Sequence, residues 1–222
     1  MASDKRALLS IPARALFQFA VPCHHCATLW DRDGANLDES YRLPNLAGLE
    51  GTTPPLEVRA GWNEDGLALR FHIFDLQIGP RAKRMVHAAQ WIHVWIDTRA
   101  VHDVHRATRY CHRFVLLANV ASNQALEAKM AWVGIPRAKE APSPPPPRSL
   151  KFIVREYTDG YCVDMLFLKD ALTGYDPREY PRLGFNYAVC DLARDREFVF
   201  TAGRPLPYDE DPSLWATLEL VP

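Results

Sequence analysis

The chain has 222 residues, with 48% hydrophobic residues, 24% charged residues and a formal net charge of −1. This length and this composition are typical of one globular domain, which we expect to span residues 1–222. A charge so close to zero gives no general attraction to nucleic acid or to an anionic membrane, so neither is an expected partner.

The N-terminal residues lack the sustained apolar core of a signal peptide. No later run approaches the roughly 20 apolar residues that a membrane span needs. The five cysteines are an odd number, without the density of a disulfide scaffold, which agrees with a reducing compartment. We therefore expect a cytoplasmic protein.

Cys23 and Cys26 enclose two histidines, an arrangement that offers thiolate and imidazole ligands to zinc. A structural zinc site needs four converging ligands, and no second Cys-x-x-Cys follows. Cys111 and His112 would complete the site if the N-terminal strand lay beside theirs. Without that convergence, the cysteines are interpreted as buried thiols and the histidines as surface residues.

Short strand-like runs separated by turn signals recur along the chain. They cover residues 16–21, 56–62, 67–74, 91–97, 110–118, 128–133, 150–157, 161–167, 183–191, 198–201 and 214–221. The sequences at 63–66 and 158–160 end in glycine and join neighbouring runs as hairpin loops do, which predicts antiparallel pairs. One short helix is expected at residues 169–172, ended by Gly174. The pattern predicts an all-β fold, an antiparallel two-sheet β-sandwich of jelly-roll or immunoglobulin-like architecture with one short helix.

The run at residues 90–99, Gln-Trp-Ile-His-Val-Trp-Ile-Asp-Thr-Arg, separates into two faces when the two-residue period of a strand is imposed. One face carries Ile92, Val94 and Ile96, and the other carries Trp91, His93, Trp95 and Asp97. The aliphatic face is expected to enter the core. The aromatic and polar face is either a binding platform or a second apolar layer beneath loops.

Residues 141–147 contain five prolines, which cannot donate to a sheet ladder. We expect an extended polyproline loop there. A stiff connector is the simpler interpretation, and a recognition motif of a protein-interaction module is the alternative.

Four segments, in this order along the chain, resemble carbohydrate-binding module family 9. They are residues 62–69 (Trp-Asn-Glu-Asp-Gly-Leu-Ala-Leu), 91–97, 184–191 (Gly-Phe-Asn-Tyr-Ala-Val-Cys-Asp) and 211–218 (Asp-Pro-Ser-Leu-Trp-Ala-Thr-Leu). The resemblance covers residues 56–221. It implies a β-sandwich that binds a saccharide without cleaving it, gripping a terminal sugar between two tryptophans and hydrogen-bonding its hydroxyls. It also implies structural calcium, for which no ligands are matched in this chain.

The resemblance places several residues of this chain at sugar-binding positions. Asp191 stands where the family has a binding aspartate, and His93 stands where it has a binding glutamate. Tyr208 and His87 lie near the positions of the two clamp tryptophans, while Ala188 replaces a binding glutamine. Trp62 and Trp215 belong to motifs that we assign to the scaffold.

Three further residues are candidates from their own chemistry. Trp91 offers an aromatic face to the C–H groups of a pyranose ring. Arg113 and Arg196 offer forked donors to neighbouring hydroxyls, although exposed arginines are usually only solvated. Asp191 has a structural alternative too, since an aspartate at a strand end often bonds to the next turn.

The predicted function is therefore non-catalytic recognition of a mono- or oligosaccharide, with no required cofactor. One alternative is a haem- or metal-binding sandwich in which a histidine pairs with Cys, Met85, Met130 or Met165. An enzyme is not expected, because no Gly-x-Ser-x-Gly elbow, phosphate loop or metalloprotease motif is present. A pair of glycosidase carboxylates has only arbitrary candidates in Asp97, Asp164 and Asp191.

Overall fold

The computed structural model describes residues 11–74, 90–120, 126–158, 160–191 and 195–222. Within these ranges the regular structure is almost entirely β. The strands are β1 (Ala20–His25), β2 (Trp30–Asp31), β3 (Gly34–Ala35), β4 (Leu56–Asn63), β5 (Gly66–Phe74), β6 (Gln90–Asp97), β7 (Cys111–Val120), β8 (Leu126–Val133), β9 (Leu150–Tyr157), β10 (Gly160–Leu168), β11 (Arg182–Asp191), β12 (Arg196–Val199) and β13 (Ala216–Val221). Short 3-10 helices occupy Ala13–Leu16, Glu39–Tyr41, Leu46–Glu50, Lys169–Ala171 and Pro212–Leu214. The predicted all-β class is confirmed.

Eleven of these strands belong to one continuous sheet, ordered β8-β7-β6-β11-β13-β1-β4-β5-β10-β9, with β12 paired to β11. Strand β1 runs parallel to both β13 and β4, whereas the neighbours on either side of this group are antiparallel. The expectation of purely antiparallel pairing in two separate sheets was therefore wrong. The parallel pairing has a physical reason. Strands β1 and β13 come from distant parts of the chain, so no hairpin turn imposes an antiparallel pair.

The long sheet folds over so that its two halves enclose the main core. The ring of Phe114 on β7 lies 4.6 Å from that of Phe167 on β10, measured between centroids. Phe71 on β5 likewise meets Tyr187 on β11 edge-on at 5.4 Å. These contacts join opposite halves of one sheet, which gives a sandwich-like body.

The turn chemistry read from the sequence shapes the hairpins. The side chain of Asn63 accepts a hydrogen bond from the Asp65 amide at 2.9 Å, which closes the turn between β4 and β5. Gly66 has a φ of +155° there, and a Cβ would lie 2.1 Å from the Phe167 carbonyl oxygen. The expected short helix is the 3-10 turn Lys169–Ala171, and Gly174 follows it with a φ of +77°. In the described ranges, no helix has the length and apolarity required to cross a bilayer.

The two faces predicted for β6 are confirmed. Ile92, Val94 and Ile96 are at most 1% exposed and enter the main core. We call the opposite side of β6, β7 and β11 the outer face. Trp95 on this face packs with Trp215 and Tyr208 in a second apolar cluster. The aromatic strip is thus partly a second core.

Candidate functional site

Three rings of β6 form a ladder on the outer face. The His93 ring lies 5.9 Å from that of Trp91 and 5.5 Å from that of Trp95, with interplanar angles of 19° and 22°. Alternate residues of a strand stand on one side, so their rings align at about this spacing. Trp95 is only 1% exposed, whereas Trp91 and His93 are half-buried. Only the Trp91–His93 end of the ladder is open to a ligand.

Arg113 projects from β7 onto the same face, in register with Trp95. Its Nη2 lies 3.3 Å from Nδ1 of His93, and its Cζ lies 5.3 Å from the centroid of the Trp95 ring. A guanidinium can only donate, so Nδ1 of His93 accepts and the proton of the neutral imidazole resides on Nε2. His93 therefore presents a hydrogen-bond donor.

The electrostatic state of this pair follows from its burial. Burial, reinforced by the charge of Arg113, lowers the pKa of His93 to about 4 against the opposing effect of Asp209. Burial also lowers the pKa of Arg113, with Asp209 again opposing, but a guanidinium stays protonated in proteins. At neutral pH the cleft thus holds an uncharged imidazole beside a fixed positive charge.

Arg113 lacks an anionic partner among the described residues. Within the described part of the chain it forms no ion pair within 4 Å, and its enclosed Nε has no hydrogen-bond partner. The neighbouring thiol of Cys190 is neutral, because burial and Glu197 raise its pKa to about 12. We call this set, Trp91, His93, Arg113 and Cys190, the outer-face cleft.

Tyr208 does not present its ring to this cleft. It is only 3% exposed, and its ring meets Trp95 edge-on at 5.6 Å and 80°. Its hydroxyl donates to Oε1 of Glu197 at 2.5 Å. The structure therefore places the Tyr208 ring in the second apolar cluster with Trp95 and Trp215, and its predicted role in stacking on a sugar stays a prediction.

Asp191 lies on the opposite face from His93. Ala188 is the partner of His93 across β11 and β6, and Asp191 follows three residues later, so its side chain points to the other side. The Asp191 carboxylate has no exposed surface and accepts from Nη2 of Arg196 at 3.2 Å. The structure therefore does not bring His93 together with Asp191 and Arg196 on one face, and the predicted roles of Asp191 and Arg196 in sugar binding stay predictions. His87 lies outside the described residues.

The four candidate zinc ligands lie in different environments. Cys23 belongs to the main core, Cys26 to a small third cluster, and Cys111 to the second apolar cluster. His112 has no exposed surface and stacks near Phe114. These four side chains do not converge on one point, and Cys111 and His112, as neighbouring strand positions, face opposite sides of the sheet.

Throughout the described ranges, no three His, Cys, Asp or Glu side chains are placed to hold a metal ion. Met165 is buried in the main core, Met130 packs at the edge of that core, and Met85 lies outside the described residues.

One cluster without a recognisable sequence motif resembles a catalytic triad in composition. Nδ1 of His105 lies 3.2 Å from Oδ2 of Asp211 and 3.0 Å from Oγ of Ser213. A triad instead needs the serine and the aspartate on different ring nitrogens. Here the Ser213 hydroxyl bonds to Asp211 at 2.6 Å, and the Asp211 side chain caps the turn Pro212–Leu214. The Asp-Pro-Ser sequence is thus a structural cap.

The fold is that of a sandwich-like all-β domain whose outer face carries aromatic and basic side chains. The chain is similar to a carbohydrate-binding module of family 9 from Caldicellulosiruptor kristjanssonii in complex with cellotriose, with a TM-score of 0.52, 11% identity, and coverage of 91% of this chain and 93% of that chain. It is also similar to a family 9 module of the same organism in complex with glucose, with a TM-score of 0.53, 11% identity, and coverage of 90% and 95%. The family 9 resemblance read from the sequence is confirmed for the fold. No protein-family model matches the sequence, and no curated protein matches it significantly.

Proposed function

We propose that this chain is a non-catalytic carbohydrate-binding domain that recognises a mono- or oligosaccharide at the outer-face cleft. The observation that carries the proposal is the half-buried Trp91–His93 ring pair with the Arg113 guanidinium against it. The fold likeness to modules bound to glucose and to cellotriose supports the same function.

The cleft offers both kinds of contact that a sugar ring uses. The Trp91 and His93 rings supply flat surfaces for the apolar C–H groups of a pyranose. Arg113 supplies charge-assisted donors, and Nε2 of His93 supplies a neutral one, to hydroxyl oxygens. Asp209, which acts electrostatically on both residues, supplies a carboxylate acceptor.

The proposal assigns no catalytic step and no cofactor to the cleft. The titratable groups of the four residues that define the cleft are a neutral imidazole, a thiol whose pKa lies near 12 and a permanent cation. None of these is an effective acid or base at neutral pH, where general acid–base catalysis needs a pKa near the working pH. Binding without turnover is the chemistry that this set supports.

The test is a glycan-array screen of the purified protein, followed by titration of the best-bound glycan against matched variants. We expect Trp91→Ala and Arg113→Gln each to weaken binding about tenfold or more, a typical loss for one aromatic or charge-assisted contact. Trp30→Ala and Arg32→Gln, changes of the same types in and beside the β2–β3 hairpin, serve as controls.

The controls are expected to bind as the parent does. Thermal unfolding of every variant separates lost binding from lost folding. A blank array, or equal losses in the cleft variants and their controls, would overturn the proposed function.

A further inference from the structure

A second region with the shape of a binding site lies where β6 ends and β7 begins. Two cavities of about 530 and 480 Å³ occupy this region. Both are lined by Arg99, Arg109, Tyr110 and Glu140, so they adjoin one another. Each volume falls within the range of small-molecule sites. On β6 the buried Trp95 separates this region from His93 of the outer-face cleft.

A ladder of alternating arginine and tyrosine side chains builds the shared wall. The guanidinium carbon of Arg99 lies 4.1 Å from the Tyr110 ring centroid and 3.7 Å from the Tyr180 ring centroid. Arg109 lies 5.1 Å from the same Tyr110 centroid. Such cation–π contacts fix the positions of the charges without neutralising them.

Arg99 is further held by the backbone around it. Its Nη1 donates to the Gly174 carbonyl at 2.7 Å and to the Thr98 carbonyl at 3.0 Å. Gly174 has a φ of +77°, and a Cβ there would lie 2.7 Å from Nη2 of Arg99 and 2.9 Å from the Tyr110 ring. The cation is therefore preorganised, which lowers the entropy lost when a ligand binds.

The charge balance of the region is positive. Arg99, Arg109 and Lys139 line the larger cavity, with Asp97 and Glu140 as its acidic residues. Asp97 is 3% exposed and already accepts the backbone amides of Arg99 at 3.0 Å and of Val101 at 3.1 Å. Glu140 approaches Arg109 only to 3.9 Å, with both side chains more than half exposed, so this pair is weak.

Two of the three cations that line the larger cavity, Arg99 and Lys139, have no acidic partner among the described residues. Across the described ranges, neither Arg99 nor Lys139 forms an ion pair within 4 Å. Val101, Val104 and Pro212 add an apolar part to the cavity wall. Preorganised cations beside an apolar wall suit an anionic group attached to a small nonpolar body.

We propose that these two cavities form a second binding site, for a ligand that carries a carboxylate or a phosphate. The anionic group binds between Arg99, Arg109 and Lys139, and the remainder of the ligand packs against Val101 and Pro212. This site shares no residue with the outer-face cleft. A negative result for one site therefore leaves the proposal for the other unchanged.

The test is an amide NMR titration of the whole chain with three probes, glucuronate, glucose and inorganic phosphate. Glucuronate and glucose share a ring and differ by one carboxylate. We expect glucuronate, phosphate or both to shift the amide signals of residues 98–111 and 173–180, and glucose to leave them in place. A response to only one of the two anions identifies which anionic group the site takes.

The matched variants are Lys139→Gln and Lys151→Gln, since Lys151 is an exposed lysine on the distant strand β9. We expect Lys139→Gln to weaken binding of the anion at least fivefold and Lys151→Gln to leave that binding unchanged. The proposal is overturned if neither anion moves these signals, if both variants weaken binding equally, or if the shifts are confined to Trp91, His93 and their neighbours.

Discussion

Arg70 and Asp164 form a forked ion pair across strands β5 and β10. Nε of Arg70 lies 2.7 Å from Oδ1 of Asp164, and its Nη2 lies 3.1 Å from Oδ2. The carboxylate has no exposed surface, and it also accepts from Arg155 and from the Ala35 amide at 3.2 Å. The pair therefore fastens the β2–β3 hairpin to the sheet, and Asp164, once a candidate catalytic carboxylate, has a structural role.

We expect Asp164→Asn to lower the free energy of unfolding by about 3–5 kcal/mol, because it leaves two arginines facing a neutral amide in a buried site. Asp65→Asn is the matched control, since Asp65 pairs with Lys169 at the surface. Its loss is expected to stay below about 1 kcal/mol. Urea unfolding of the three proteins measures both values, and equal losses would contradict the structural role of Asp164.

Gly34, in the β2–β3 hairpin, lies against the same ion pair. Its φ is +107°, and a Cβ would lie 2.2 Å from Oδ2 of Asp164. We expect Gly34→Ala to destabilise the protein by at least about 2 kcal/mol more than Gly51→Ala, because a buried ion pair must move. Gly51 also has a positive φ, of +66°, but open space around it. Thermal unfolding of the two variants compares them, and similar losses would show that backbone conformation alone accounts for the effect.

The stability of the protein should fall between pH 7 and pH 5, in part because of His112. Burial lowers the pKa of His112 to about 4, whereas an unfolded histidine titrates near 6.5. Between these values the unfolded chain binds more protons, so the free energy of unfolding decreases as the pH falls. The expected contribution of His112 is about 2 kcal/mol by pH 5.

His112→Leu should remove that contribution. Urea unfolding at pH 7 and at pH 5 measures the pH-dependent loss in each protein. The loss in the parent is expected to exceed that in the variant by about 2 kcal/mol. An identical loss in both proteins would mean that His112 is protonated to the same extent in the folded and unfolded states.

Asp191→Asn separates the observed placement of Asp191 from its predicted role in sugar binding. The side chain is buried on the face opposite to His93, where it pairs with Arg196. We expect the variant to lose about 1–3 kcal/mol of stability, since a charged hydrogen-bond acceptor is replaced in a buried site. Glycan affinity should stay within about twofold of the parent, because this variant does not alter the cleft. A tenfold loss of affinity in a folded variant would mean that Asp191 contributes to glycan binding.

The sequence predicted the local structure better than the site. The alternation in residues 90–97 and the turn at Asn63 depend on neighbouring residues, so both could be read directly. Whether Asp191 shares a face with His93 depends on the register of β11 against β6, in which Ala188 is the partner of His93. A pattern within one strand does not reveal the register between two strands. The two-residue strands of the β2–β3 hairpin are too short to show a period, and they are held by contacts with Asp164, 129 residues after Ala35.

The indole signals of the six tryptophans offer the most direct test of the proposed cleft. Nε1 of Trp62 donates to the Val221 carbonyl at 3.1 Å, and that of Trp215 donates to the Tyr208 carbonyl at 2.8 Å. Nε1 of Trp91 has no such partner among the described residues. Titration with the glycan ranked first on the array is predicted to shift the Trp91 signal most and to leave those of Trp62 and Trp215 in place. A saturable shift at Trp62 or Trp215 with none at Trp91 would contradict a saccharide site at the outer-face cleft.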